Sequence, residues 1–499
     1  MARAPDLNAS GSTPVIVRAA APESEALLGV VFRRYPSREW VTFARFGWRD
    51  TPGGLVLTLA ALDSPTPGDV DESVGNVAID EAYTLRVALV AESHNLAVGV
   101  IHSHPAGARP LPSLTDDDMD RYYSDYFGGF APGRPYVSLI VASDRDELYG
   151  SGRIFWKGEW HKVTRFVVQP TPVRIDYRRS GETRARGGER VARLRDAFGD
   201  EAAERLASAT VAVIGASGTG SPAIEILARA GVGRLIVVDP DVFVASNLER
   251  IHGSMSDDVE SGLYKVDIAR RHILSINPEC DVTAIRGALP QREVVDALVA
   301  ADAIIGATDS QHSRLALSDI ALRYLVPAID CGVALEGGSG RITGQVIQLV
   351  RFLPADPCAL CRRMTVPWRV AQELMSEDER KQRRAAAAAA RERGNPADHY
   401  WHDVPQLNTV GYLTTTAGAM AAGYVVGWVT GRFVPPFSRL QMNLAAPFFD
   451  VTDVDEKPRP DCPCRRVRGM ADQAIAEALI TAPTHWPRPQ TLGESIART

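Results

Sequence analysis

One stretch restricts the fold of this chain more than any other: VAVIGASGTGSPAIEILARAGVGRLIVVDPD, residues 211–241. An apolar run of strand length meets a glycine-rich turn, and a helix pattern and a second apolar run follow. Strands that are continuously apolar are buried on both faces, as in a parallel sheet covered by helices. Gly215 permits a tight turn. Gly218 and Gly220 let backbone approach a phosphate and let the helix approach the sheet, with the helix N-terminus facing the anion. Asp239 ends the next strand, nineteen residues after Gly220, in place to accept a ribose hydroxyl. Taken alone, this pattern equally suits a nicotinamide or flavin dehydrogenase.

The alternation continues through ADAIIGAT, a helical segment RLALSDIALRYL and PAIDCGV, so an α/β, Rossmann-like parallel sheet is expected from residue 190 to about 470. ERVARLRDAFGDEAAERLASA before it reads as one helix. The stretch Met375–Gly394 is helix-prone and is expected to be a solvated excursion. The last residues, 471–499, are rich in Pro and Ala and read as a weakly ordered tail.

The residues after Asp239 narrow the chemistry. Ser221-Pro222, Asp239 with Asp241, Ser246-Asn247-Leu248-Glu249-Arg250, Lys265, Thr308-Asp309-Ser310 and Arg314 follow in order. This set resembles the ubiquitin-activating-enzyme superfamily, which includes the ThiF and MoeB proteins, from about Arg190 to Arg465. The resemblance implies binding of ATP with Mg²⁺ and adenylation of the C-terminal glycine of a ubiquitin-like protein. Arg250 and Lys265 would neutralise charge at the α-phosphate. Asp309 would hold Mg²⁺, Asp239 the ribose, and Asn247 the phosphate oxygens. Ser217 stands where the family has a glycine, and Ser310 where it has Asn. A homodimer is implied by the resemblance only.

The first 168 residues show a different pattern. LLGVVF, VTFARFGW, LVLTLAAL, VGVIHSH and VSLIVA read as strands, and residues 80–96 as a helix, giving an α/β domain with its own core. Residues 169–189 read as a linker rich in Pro, Arg and Gly. Within IHSHPAGARPLPSLTDDD, His102 and His104 sit at i and i+2 and share one face of a strand. Asp116 opens the next helical segment. Two imidazoles, a carboxylate and a water suit a catalytic zinc, which lowers the water's pKa to about 7.

These residues resemble the JAMM (JAB/MPN) metallopeptidase motif: His102-Ser103-His104-Pro105, then Ser113-Leu114-Thr115-Asp116. The loop between is one residue longer than usual, which leaves Asp117 and Asp118 as alternatives to Asp116. The family's general base is a Glu before the first core strand, here Glu23 or Glu25 in PESEALLGVVF. Ser113 would stabilise the oxyanion. The implied substrate is a peptide or isopeptide bond after a ubiquitin-like C-terminus.

Of six cysteines, four form two tight pairs, Cys358-x-x-Cys361 and Cys462-x-Cys464, and four thiolates suit a structural zinc. Cys331 reads as core and Cys280 as a loop or strand-edge residue, which leaves no cysteine placed for a carrier thioester. The formal net charge of −6 argues against a nucleic-acid partner. The N-terminus lacks the apolar run of a signal peptide, and residues 411–429 fall short of a membrane span. A cytoplasmic enzyme is expected, with a ubiquitin-like protein as substrate and a conjugating or sulfur-transfer partner downstream. Sulfur-carrier activation and a non-catalytic scaffold are the alternative functions.

Overall fold

In a computed structural model, the described residues are 13–20, 26, 39–73, 76–104, 110–144, 147–168, 173–174, 188–338, 340–404, 409–444, 450–474 and 480–492. Contacts divide the chain into two compact units. One comprises Met1–Arg184 with Ala321–Leu325 and Pro463–Ala478. The other comprises Ala185–Ile320, Val326–Cys462 and Leu479–Thr499.

The first unit is built on a sheet of strands β1 (Val15–Ala19), β2 (Trp40–Thr51), β3 (Gly54–Asp63), β6 (Ala97–Ser103), β7 (Tyr136–Asp144), β8 (Glu147–Trp156), β9 (Glu159–Lys162), β10 (Arg165–Val168) and β11 (Val173–Arg174). The order is β10-β1-β3-β2-β6-β7-β8-β11, with β9 beside β8. β4 (Val70–Ser73) and β5 (Asn76–Ile79) form a separate hairpin. Helices α1 (Glu81–Ser93) and α2 (Leu114–Phe130) bury Tyr83, Val87, Tyr123 and Phe127 with Phe43 and Val100 of the sheet. A second core of Val17, Phe46, Leu57 and Ile154 includes residues from the same strands. Both faces are therefore apolar, which is why β6 carries no alternation and is buried at all seven positions. Residues 27–32, read as a strand, and most of 169–187, read as a linker, lie outside the described residues, as do Glu23 and Glu25.

The second unit carries β12 (Thr210–Ile214), β13 (Arg234–Val238), β14 (Asp281–Arg286), β15 (Ala303–Gly306), β16 (Ala328–Gly338), β17 (Arg341–Phe352), β18 (Arg439–Asn443), β19 (Asp450–Val454) and β20 (Gln490–Thr491). Their order is β19-β18-β17-β16-β15-β12-β13-β14-β20. The strands from β16 to β14 run parallel, and β17, β18, β19 and β20 add antiparallel edges. Helices α3 (Gly220–Arg229), α4 (Lys265–Ile276), α5 (Gln311–Arg323), α6 (Glu377–Glu392) and α7 (Gly411–Thr430) complete the main elements used below. α7 packs on α3, β16 and β17 through small residues such as Ala417, Ala421 and Ala422. Among the described residues, no helix is long and apolar enough to cross a membrane.

Three local expectations need correction. The helix expected over residues 189–209 breaks at Gly199, whose φ of +89° separates helices Ala192–Phe198 and Asp200–Ser208. α6 is not wholly solvated: Ala387 and Ala390 bury against Ala397 and Trp401, and Arg384 stands over the Trp401 ring. Residues 480–492 are no loose tail, because β20 pairs with β14. That pairing is non-local, and composition carries no sign of it.

Candidate active site and metal centres

The second unit opens a cavity of about 920 Å³ at the carboxyl ends of its parallel strands. Crevices at this end of a doubly wound sheet are where ligands bind. β12 runs into Gly215, which adopts φ +94° with its α-carbon beside the Ala307 carbonyl. At Gly220, a Cβ would stand 1.7 Å from the Gly215 oxygen, so only glycine lets α3 start so close to the turn. Gly215, Ser217 and Gly218 line the cavity; Gly220 lies just behind them and is buried.

Asp239 clamps this turn. One carboxylate oxygen accepts the Ala216 N–H at 2.8 Å and the other accepts the Asp241 N–H at 2.9 Å. Burial raises its carboxyl to about 6, against the pull of Lys265 4.0 Å away. Each oxygen keeps a further lone pair for a ligand hydroxyl. The Lys265 ammonium lies 2.6 Å from Asp241, and Lys265 is itself 7 % exposed. Arg250 and the exposed Asp309 also line the cavity.

Asn247 is buried and is not among the lining residues. Its Oδ1 accepts the Val244 N–H at 3.4 Å, and its backbone carbonyl accepts the N–H groups of Arg250 and Ile251. It therefore orders the turn that presents Arg250. Six basic side chains line the cavity against four acidic ones, which favours an anionic ligand. Arg286, His312, Arg369, Glu373, Arg380, Trp486 and Arg488 belong to this lining and were missed by motif reading. Arg286 ends β14, and a strand assignment there would have pointed to it.

In the first unit, the ligand atoms of His102, His104 and Asp116 lie within 4.8 Å of one another. The two histidines come from the end of β6, and their rings stand 5.3 Å apart. Asp116 comes from the first turn of α2. Ser113 caps that helix: its hydroxyl accepts the Asp116 N–H, and Asp116 Oδ2 accepts the Ser113 N–H at 2.6 Å. The capping box leaves Asp116 Oδ1 aimed at His102 Nε2, 3.2 Å away. Burial opposes the Asp116 charge, yet the His102 imidazole and Ser113 hold the carboxyl well below the usual range. Beyond this ion pair with Asp116, both buried ring nitrogens of His102 lack a hydrogen-bond partner. Buried orphan nitrogens beside a carboxylate fit a metal ion. Asp117 and Asp118 are turned elsewhere, to Arg153 and Arg121.

The Sγ atoms of Cys358, Cys361 and Cys462, all of the second unit, also lie within 4.8 Å of one another. Cys358 and Cys462 are 3.6 Å apart, close to the roughly 3.8 Å edge of a tetrahedron with Zn–S bonds of about 2.3 Å. The Cys361 N–H points at the Cys358 sulfur, and the Arg459 N–H at the Cys361 sulfur. This donor set fits a structural zinc.

A family model described as the ThiF family matches residues 190–464, more than half of the chain. Over 168 residues the chain is 33 % identical to the SAMP-activating enzyme E1 of Haloferax volcanii, covering 34 % of this chain and 58 % of that protein. It is 34 % identical over 157 residues to the adenylyltransferase and sulfurtransferase UBA4 of Eremothecium gossypii, covering 32 % of this chain and 33 % of that one. Over 122 residues it is 38 % identical to the probable molybdopterin-synthase adenylyltransferase of Porphyra purpurea, covering 24 % of this chain and 31 % of the relative. The chain thus spans less than two thirds of the length of these relatives. A solved structure of E. coli MccB with ATP overlaps 56 % of this chain and 76 % of its own, at 18 % identity and a TM-score of 0.40.

Proposed function

Because the chain belongs to the ThiF family, we propose that its second unit adenylates the C-terminal glycine of a ubiquitin-like protein, using ATP with Mg²⁺. The observation that carries this reading is the cavity in which Gly215, Gly218, Asp239, Arg250, Lys265 and Asp309 meet. A carboxylate oxygen of the carrier's terminal glycine attacks the α-phosphorus. The bond from that phosphorus to the bridging oxygen breaks, and pyrophosphate leaves with the negative charge. Arg250 and Lys265 offset charge that builds on the α-phosphate and leaving group. The glycine turn and the start of α3 supply N–H groups to phosphate oxygens. Asp239 accepts a ribose hydroxyl, Asn247 holds Arg250 in place, and Asp309 is the carboxylate for Mg²⁺.

The same proposal gives the first unit a zinc-dependent, JAMM-type peptidase activity on the carrier. His102, His104 and Asp116 would hold the ion, which supplies Lewis-acid activation of water when bound. Ser113 stands beside Asp116 to receive oxyanion charge, and Glu23 or Glu25 is the proposed base. The four cysteines would hold a second, structural zinc. We place the protein in the cytoplasm as a homodimer within a bacterial ubiquitin-like conjugation route. Its downstream partner would be a conjugating or sulfur-transfer protein. Sulfur-carrier activation is the second reading; the names of the UBA4 and molybdopterin-synthase relatives favour it, and the adenylation step is identical.

Reciprocal variants test the pairing. With ATP, Mg²⁺ and a small β-grasp carrier followed by intact mass, Asp309→Ala should abolish the adenylate and spare trimming. His104→Ala should abolish trimming and spare the adenylate, with loss of one zinc by elemental analysis. Loss of both activities in either variant, or trimming by His104→Ala, contradicts the proposal.

A further inference from the structure

The motifs leave residues 480–492 unexplained, yet this stretch reaches the nucleotide cavity. β20 pairs with β14 through Arg286 and Gln490, and the Leu492 N–H donates to the Ala284 carbonyl at 3.0 Å. From that anchor the chain runs back through Pro489, Arg488 and Pro487 to Trp486. Gln291, 6 % exposed, ties it down: its Nε2 donates to the Pro487 carbonyl at 2.6 Å, while its Oε1 accepts the Ala288 N–H at 2.8 Å. At the other end, Trp486 meets the His312 ring edge-on at 5.3 Å, and His312 is held by Glu373 at 2.9 Å.

The sheet order β15-β12-β13-β14 sets the loop before His312 and the loop before Gln291 on opposite sides of the glycine turn and Asp239. A segment fixed to both loops must cross the mouth of the cavity. Trp486, Pro487, Arg488 and Gln490 all line it. Lys265, Arg286 and Arg369 are held by Asp241, Asp267 and Glu373. Arg488 is exposed between two prolines. Proline fixes its own φ and keeps the preceding residue extended, so the arginine is presented from a stiff backbone. Such preorganisation lowers the entropy cost of binding, and a guanidinium matches phosphate oxygens in pairs.

We propose that residues 486–490 are a built-in wall of a nucleoside triphosphate site, and that Arg488 contacts the bound polyphosphate. This rests on the adenylation reading of the cavity. Calorimetric titration of the full chain with Mg-ATP tests it, with AMP as a ligand lacking the outer phosphates. Arg488→Ala should weaken ATP roughly ten- to hundredfold, the worth of a charged hydrogen bond, and weaken AMP less. Arg488→Lys should recover part of the loss, and thermal melting without nucleotide should match the wild type. In the wild-type protein, ATP should slow hydrogen exchange across residues 486–491. Equal ATP affinity in Arg488→Ala, or unchanged exchange in this segment, overturns the inference and leaves adenylation standing. A wild-type protein that binds no ATP overturns both.

Discussion

Glu225, on α3, carries more electrostatic weight than its motif position suggests. Its Oε2 lies 2.9 Å from His252 Nδ1 and 3.2 Å from His272 Nε2, and Arg229 pairs with Oε1. Burial alone would raise this carboxyl, but hydrogen bonds from His252, Arg229 and His272 hold it at about 2, below an ordinary 4.5. A depressed carboxyl stabilises the fold fully above its unfolded value and loses that contribution as pH falls towards the folded one. Glu225→Gln should therefore cost about 1–3 kcal/mol at neutral pH and flatten the loss of stability between pH 4.5 and 2. Urea unfolding across that range reads both; an acid limb identical to wild type contradicts the account. The two cysteines outside the Cys-x-x-Cys and Cys-x-Cys pairs behave oppositely to Glu225. Burial pushes Cys280 up to about 12, and Cys331, 1 % exposed, well above an ordinary thiol. Thiolate is the nucleophile, so neither should react with iodoacetamide at pH 8 before denaturation, and neither should hold a carrier as a thioester. A reducible carrier adduct on either, found by mass spectrometry, contradicts this.

At the scale of elements, the start of α3 decides whether the site forms. Gly220→Ala would drive a methyl to 1.7 Å from the Gly215 carbonyl oxygen, a backbone atom that cannot swing aside. The substitution should cost at least about 1–3 kcal/mol and displace the turn. A urea midpoint within error of wild type would show that the turn relaxes freely. This strand–turn–helix was legible because its signals are local: an apolar run, glycines at fixed offsets and an aspartate at the next strand end. Ser113-x-x-Asp116 was legible as a short motif opening a helical segment, but that Ser113 caps the helix and so orients Asp116 is visible only in the structure. What stayed hidden is non-local. β14 is exposed at Asp281 and only partly buried at Val282 and Thr283, and its sequence has no continuous apolar run. Cys280 read as a loop or strand-edge residue, and it does lie in the loop directly before β14; only its burial was not legible. The pairing of β20 with β14 depends on residues about two hundred positions away, and so the lining by Trp486 and Arg488 could not be seen.

Over the whole molecule, each of the two units offers one candidate site drawn from its own core. One set of ligands is built on β6 and α2, and one anion cavity on the strands β12 to β15. The proposal that both act on one carrier tail makes adenylation the central claim, because the family assignment and the cavity converge on it. Carrier-dependent exchange of labelled pyrophosphate into ATP measures that step alone. The account predicts exchange only when a ubiquitin-like protein ending in glycine is present, lost in Asp309→Ala and kept in His104→Ala. Tight Mg-ATP binding without exchange for any such carrier, or exchange that survives Asp309→Ala, would contradict it.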